Sequence, residues 1–306
     1  MELRHLRYFV AVAEEGHITR AAERLGIQQP PLSQQIKALE RELDVQLFHR
    51  RPRGVELTEA GRTLLENSRA VLGLLDRARE ATRRVARGEQ GRLTVGIAPT
   101  APFHPVVPQS IRAFRTAFPL VSLTLEEGLS NEISERFSQD RMDVAFVRNA
   151  VISADGITVT PLLEEPMIVA MPKAHALAKG NRGISSFPLK RLADDAFIVF
   201  GPPGTGIYDE TLAACRTAGF NPRIEQRAPR ITSTLGLVAA GLGVSLVPAC
   251  MQRLKMDGVA YRRLSGPVRP MSFLGLASRK GDPSAAVRQF IRRVKATVSA
   301  TPPGTG

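Results

Sequence analysis

Through the opening segment, apolar residues recur at the spacing of helices rather than strands. Leu6, Phe9, Val10 and Ala13 mark one face of a helix that Gly16 can end, with Arg4, His5 and Arg7 outside. Ala22, Leu25 and Ile27 predict a second, shorter helix, capped by Thr19 and closed by a turn at Gly26. Leu32, Ile36 and Leu39 then repeat at i, i+4 and i+7, so a third helix turns its oily side inward. Gln28, Pro30 and Pro31 fall at its start, where a missing N–H costs nothing, and Gln29, Ser33, Gln34 and Lys37 face outward. Residues 18 to 40 therefore have the layout of a helix-turn-helix.

Next, the stretch from Phe48 to Thr58 sets Arg50, Arg51 and Arg53 beside Pro52 and Gly54, which predicts a hairpin with a basic tip. From Thr58, a good N-cap, to the region of Gly88 and Gly91, no proline breaks one long helix. Leu57, Leu64, Val71, Ala78 and Val85 return every seventh residue; Leu75 adds a second row that Ser68 and Thr82 interrupt. That spacing predicts a short coiled-coil seam in which Leu64, Val71, Leu75 and Ala78 pair two chains. A single helix lying across its own domain is the other reading. At about 1.5 Å per residue the helix spans roughly 45 Å, too long to bury alone.

Beyond residue 91, short apolar runs alternate with helical stretches. Strands are expected at Leu93–Ala98, Val121–Glu126 and Met142–Arg148 with helices between them, an order that implies a parallel sheet. A second set follows: Met167–Met171, Ala196–Phe200, a helix from Thr205, Arg223–Gln226, a helix from Thr232, and Val244–Val247. Met271–Leu276 and a last helix from Pro283 to about Val298 return to the first lobe. The predicted fold class is α+β and multidomain. A winged helix-turn-helix occupies 1–58, a linker helix 59–90, and a two-lobed α/β domain 91–306, its first lobe about 91–161 and 266–306 and its second about 162–265.

Chemistry can now be placed on these elements. Amides at Gln29 and Gln34 suit adenine edges, Ser33 and Lys37 suit phosphate or base acceptors, and Arg50, Arg51 and Arg53 suit phosphates beside the groove. Together they point to double-stranded DNA, the alternative being a buried helix pair with a solvated charged turn. In open α/β sheets small molecules lodge beyond the carboxyl ends of strands, where helix starts present free N–H groups. Thr100 and Ala101 follow the first strand, Leu129, Ser130 and Asn131 the second, and Arg148 the third. Opposite them, Gly201, Pro202 and Thr205 open one helix, and Thr232 opens another. Hydroxyls, helix starts and an arginine suit a carboxylate. Equally, Thr100, Thr205 and Thr232 are the residue type of plain N-caps, and Arg148 is suited to an acidic neighbour. Gly201–Gly206 lacks the Lys-Ser/Thr ending of a phosphate loop, which argues against a nucleotide.

Composition narrows the classes. The chain has 306 residues, 43% of them hydrophobic, enough for more than one core. No apolar run approaches the roughly 20 residues of a membrane helix, and the first residues read as an amphipathic helix rather than a signal peptide, so the expectation is a cytoplasmic protein without a membrane partner. The net charge of +13 is no argument for DNA by itself, because residues 1–90 carry only +3 of it. Cys215 and Cys250 form no CxxC pair, and His5, His17, His49, His104 and His175 are scattered without metal spacing. Without a GxSxG or HExxH stretch, an enzyme is not expected, and neither is a metal or cofactor.

Residues 1 to 66 closely resemble the DNA-binding domain of LysR-type transcriptional regulators, through Leu6–Glu14, Ala21–Leu25, Gln29–Ser33, Ile36–Glu40, Leu47–Arg50 and Leu57–Gly61. The family commonly has arginine where this chain has Gln34, and the double proline is similar to the branch controlling aromatic-compound degradation. The remainder resembles the family's effector domain, which looks like a periplasmic binding protein closing on a small molecule. Leu129 stands where some muconate-responsive members have a hydroxyl residue. The resemblance implies a regulator that binds promoter DNA, responds to an aromatic acid or dicarboxylate, works with RNA polymerase and assembles as a dimer of dimers, a homotetramer. A ligand-independent architectural binder and a redox-sensing regulator, as some members are through a cysteine pair, are the alternatives.

Overall fold

A computed structural model of the chain describes residues 1–148, 156–178, 186–281 and 284–301. It divides into two compact units, Met1–Arg84 and Val85–Gly306.

The first unit opens with helix α1 (Leu3–Glu15), which ends at Gly16, and helix α2 (Ile18–Leu25). The cap of α2 is His17, not Thr19: its Nδ1 accepts the Thr19 N–H at 3.2 Å, because Thr19 already lies inside the first turn. Gly26 closes α2 with φ +66°, the left-handed conformation the tight corner needs. Helix α3 (Gln29–Leu43) follows, with prolines in its first turn. Leu32, Ile36 and Leu39 are buried against Phe9, Val12 and Ala22, as the periodicity predicts. In α1 the deepest residues are Leu6, Phe9, Ala11 and Val12, while Val10 and Ala13 are half-buried, so the inward stripe is rotated from the expected one.

Strands β1 (Phe48–Arg51) and β2 (Gly54–Leu57) form the antiparallel wing. Local contacts aim it. Glu40 Oε1 on α3 accepts the Leu47 and Phe48 N–H groups at 2.8 and 3.2 Å, and Gly16 O accepts the Val55 N–H at 2.9 Å. Helix α4 (Glu59–Arg87) is capped by Thr58, whose Oγ1 accepts the Gly61 N–H at 2.9 Å. Its first turns pack Leu64 and Leu65 on the core of the unit, and Arg69 pairs with Glu14 at 2.9 Å. Further along, Val71, Leu74 and Val85 are exposed.

In the second unit the chain runs through β3 (Gln90–Ile97), α5 (Val106–Ala117), β4 (Leu120–Glu127), α6 (Ser130–Ser138) and β5 (Val144–Arg148). β4 and β5 flank β3, both parallel to it, which is the predicted arrangement. Strand β6 (Ile157–Pro172) is far longer than the five residues expected, because one continuous strand serves both lobes. Its first part pairs with β12 (Met271–Arg279), and residues 167–172 pair with β10 (Ser245–Pro248) and β11 (Val259–Ser265). The lobe change thus falls between Pro166 and Met167 rather than near residue 161, where Met167 N–H also reaches Pro270 O at 2.8 Å.

Lobe II also contains β7 (Ser186–Pro188), β8 (Ala196–Phe200), α7 (Gly206–Thr217), β9 (Arg223–Ala228) and α8 (Ile231–Ala239). Both β7 and β11 went unpredicted; β11 is mostly half-exposed and reads Val-Ala-Tyr-Arg-Arg-Leu-Ser, without clean alternation. Helix α9 (Ala285–Ala300) returns to lobe I, burying Val287, Phe290 and Val294 against Phe114 and Phe146. The expected start of that helix, Pro283, and the end of the chain after Thr301 lie outside the described residues. No described helix is long and apolar enough to cross a membrane.

Candidate functional site

Two surfaces carry chemistry. On the first unit, α3 presents Gln29, Pro30, Pro31, Gln34 and Lys37 to solvent, with Gln28 exposed at the cap position and Ser33 half-buried. This polarity is the necessary complement of burying Leu32, Ile36 and Leu39 on a helix of 3.6 residues per turn. On the wing, Arg50 and Arg53 are exposed and have no ion pair among the described residues. Arg51 differs from the expectation, since Glu56 across the hairpin holds its guanidinium at 3.0 Å. The paired arginine has less charge to offer a phosphate.

The second surface lies at the carboxyl ends of β3, β5 and β8, where a cavity of about 20 Å³ collects Thr100, Leu129, Ser130, Arg148 and Thr205. Ala98, Pro99, Phe200, Gly206 and Ile207 complete its lining; of these only Gly206, the end of the Gly201–Gly206 helix start, was anticipated. Thr100 is 1% exposed, and its hydroxyl has no hydrogen-bond partner among the described residues, nor does Arg148 Nε. Neither Thr100 nor Thr205 caps a helix with its side chain; Thr205 Oγ1 donates instead to Pro202 O at 2.6 Å. Orphaned donors buried beside two helix starts are what a carboxylate-sized acceptor would satisfy.

Four predicted residues fall elsewhere. Ala101 is fully buried in the core of lobe I, because the chain turns inward there through a 3-10 turn. Gly201 holds φ +79° so that Thr205 can fold back over it, and a Cβ at that position would lie 2.7 Å from Thr205 Oγ1. Pro202 is exposed and contributes only its carbonyl. Thr232 is exposed within the first turn of α8, whose cap position is Arg230, two residues before the helix start expected at Thr232.

Behind the cavity runs a buried polar network that spacing did not suggest. Arg148 and Glu165 are 3% and 2% exposed and form an ion pair at 2.6 Å. Arg148 also reaches Ser272 Oγ at 3.4 Å and Cys250 Sγ at 3.3 Å, and the Cys250 N–H donates to Glu165 Oε2 at 2.6 Å. Burial pushes the Cys250 thiol up to about 12, with Arg148 opposing and Glu165 adding to the shift. Cys215, equally buried, is also pushed up to about 12 by burial. His104, 5% exposed, is held below its ordinary value by burial, with Glu165 opposing. Its Nδ1 accepts the Val106 N–H at 3.3 Å. One signal for Glu165 was present: a carboxylate two residues before the apolar run Met167–Met171 needs a partner if the strand carries it inward, and Arg148 ends another buried strand.

The predicted seam residues divide similarly. Leu64 is half-buried in the first unit, Val71 and Ala78 are exposed, Leu75 is half-buried, and exposed Leu74 extends the apolar stripe.

Residues 3–62 match the family described as bacterial regulatory helix-turn-helix protein, lysR family, and residues 86–299 match the LysR substrate binding domain. The chain is 37% identical to the HTH-type transcriptional regulator BudR of Raoultella terrigena, over 95% of this chain and 99% of that one. It is 39% identical to the HTH-type transcriptional regulator CatR of Pseudomonas putida, over 95% and 97%. Among solved structures, CbnR, a LysR family transcriptional regulator, superposes with a TM-score of 0.84 at 31% identity, covering 96% of this chain and 100% of that one. Full-length CbnR complexed with its target DNA superposes at 0.82, at 31% identity, covering 97% and 100%. The exposed polar face of α3, the wing and the two-lobed domain thus belong to a member of the LysR family of DNA-binding transcriptional regulators, a family of regulators and not of enzymes.

Proposed function

We propose that this regulator recognises a promoter through Gln29, Ser33, Gln34 and Lys37, anchors on phosphates through Arg50 and Arg53, and changes its hold on DNA when a small organic anion enters the cavity at Thr100. The observation that carries the effector reading is the pair of buried donors without partners, Thr100 Oγ1 and Arg148 Nε, beside one cavity. The apolar Leu129, Phe200 and Ile207 in the same wall suit the ring of an aromatic acid, which enters only when the lobes part, because the cavity as it stands holds little more than one water. The double proline and the similarity to CatR favour the aromatic-catabolism branch.

Self-association follows from the exposed stripe of Val71, Leu74 and Val85, which a second copy of α4 would cover, giving a dimer and then a dimer of dimers. Ligand-driven movement of the lobes about β6 would alter the spacing of paired DNA-reading heads and the access of RNA polymerase, with coupling of about 1–3 kcal/mol. The protein acts in the cytoplasm with no cofactor beyond the effector. A redox-sensing role is disfavoured by two deeply buried thiols pushed up to about 12, which stay protonated at neutral pH.

The test is a thermal-shift screen of small acids followed by operator binding. A ligand that raises the melting temperature of the parent chain and not of Thr100→Val supports the reading; equal shifts in both move the effector out of this cavity. A chain that binds its operator identically with and without every ligand would instead be an architectural binder.

A further inference from the structure

The charge of the effector can be read from the network behind the cavity, on the footing of the cavity reading above. Arg148 lines the cavity, yet its terminal nitrogens are engaged: Nη1 lies 2.6 Å from Glu165 Oε1 and 3.4 Å from Ser272 Oγ, and Nη2 lies 3.3 Å from Cys250 Sγ. Glu165 is itself fixed by the Cys250 N–H at 2.6 Å. Only Nε is left without a partner among the described residues.

Since both charged groups are almost fully buried, water does little to screen them, and the pair presents no net charge to the cavity. What remains are neutral or charge-compensated donors: the Thr100 hydroxyl, Arg148 Nε–H and the first-turn N–H groups of α6 and α7. Such a set can satisfy one carboxylate. A second carboxylate would be buried beside Leu129, Phe200 and Ile207 with no cation to meet it. We infer that Glu165 is a specificity-determining residue, which by neutralising Arg148 makes the cavity select a small monocarboxylate over a dicarboxylate of the same skeleton. Glu165 acts through Arg148 and is therefore a positioning residue. With Glu165 uncharged, the cavity wall carries one net positive charge, and the preference shifts toward the dianion.

The experiment uses matched pairs of probes on the full-length protein, benzoate against phthalate and propionate against succinate, read by calorimetry and thermal shift at constant ionic strength. In the parent chain a monocarboxylate binds, its dicarboxylate partner binds at least about tenfold more weakly, and Thr100→Val removes the binding. Glu165→Gln moves that ratio by about tenfold or more toward the dicarboxylate. A merely structural Glu165 would weaken both classes alike and leave the ratio unmoved, which would overturn the inference.

Tighter dicarboxylate binding by the parent chain, abolished in Thr100→Val, would also overturn it while leaving the cavity as the effector site. Binding by no probe, or binding indifferent to Thr100→Val, would remove the cavity reading and the inference with it. If Glu165→Gln does not fold, the comparison in the parent chain still decides.

Discussion

The face proposed to read DNA and the cavity proposed to take the effector are built in opposite ways. Gln29, Ser33, Gln34 and Lys37 lie within one helix, and their common direction follows from the helix period once Leu32, Ile36 and Leu39 are buried. The cavity takes its walls from the ends of separate strands and helices between Ala98 and Ile207, and the network behind it adds Cys250 and Ser272. A surface made by one element tolerates polar substitution, because its groups are already hydrated. A surface made by many buries its polar groups, so each depends on a partner far away in the chain.

The sharpest test of this contrast is Glu165→Ala, which leaves the Arg148 charge buried and uncompensated. Stability should fall by about 3–5 kcal/mol in chemical denaturation, and replacing both members by apolar residues, Arg148→Met with Glu165→Leu, should recover most of it. An undiminished Glu165→Ala chain would mean that the pair is not buried as described. On the other surface, Gln29→Ala with Ser33→Ala should change stability little, yet cost about 1–3 kcal/mol of discrimination between operator and random DNA for each lost base contact. Equal loss on both DNAs would assign these side chains to the backbone.

Thr100→Val sharpens the comparison from inside the cavity. Removing a buried hydroxyl without a partner should leave stability unchanged or raise it by up to about 1 kcal/mol, while the effector response disappears. Among the wing arginines, Arg53→Ala should lower the slope of log affinity against log salt by about 1. Arg51→Ala should lower it less, since Glu56 already occupies that guanidinium.

The smallest expected effect is on pH dependence. Burial holds the His104 imidazole below its ordinary value near 6.5, so as pH falls through that value the unfolded state takes up a proton more readily than the folded state. Stability of the second unit should decline as pH falls through and below 6.5, and His104→Gln should flatten that decline in melting curves between pH 7 and 5.

Much of this was legible in the residues, and the misses have physical causes. The helix-turn-helix, the wing and the parallel strands β4, β3 and β5 all announce themselves through short-range periods and turn residues. His17 rather than Thr19 caps α2 because several polar residues near a helix start can serve as the cap, and only the backbone decides which one precedes the first turn. Ala101 and Thr232 depart from the expected cavity positions for the same reason, a shift of one or two positions in a turn being enough to send a side chain into the core or out to solvent.

Composition and local pattern were sufficient to dictate most of the helices and strands, which helix face is oily, and hence which amides and arginines are left exposed on the first unit. Those outcomes rest on hydrogen bonds and packing between residues a few positions apart. The union of Arg148 with Glu165 and Cys250 was decided only when β6 crossed between lobes and brought the end of β10 behind the end of β5. Partners 102 residues apart leave no periodic trace along the chain, because their attraction acts through space after the backbone has closed around them.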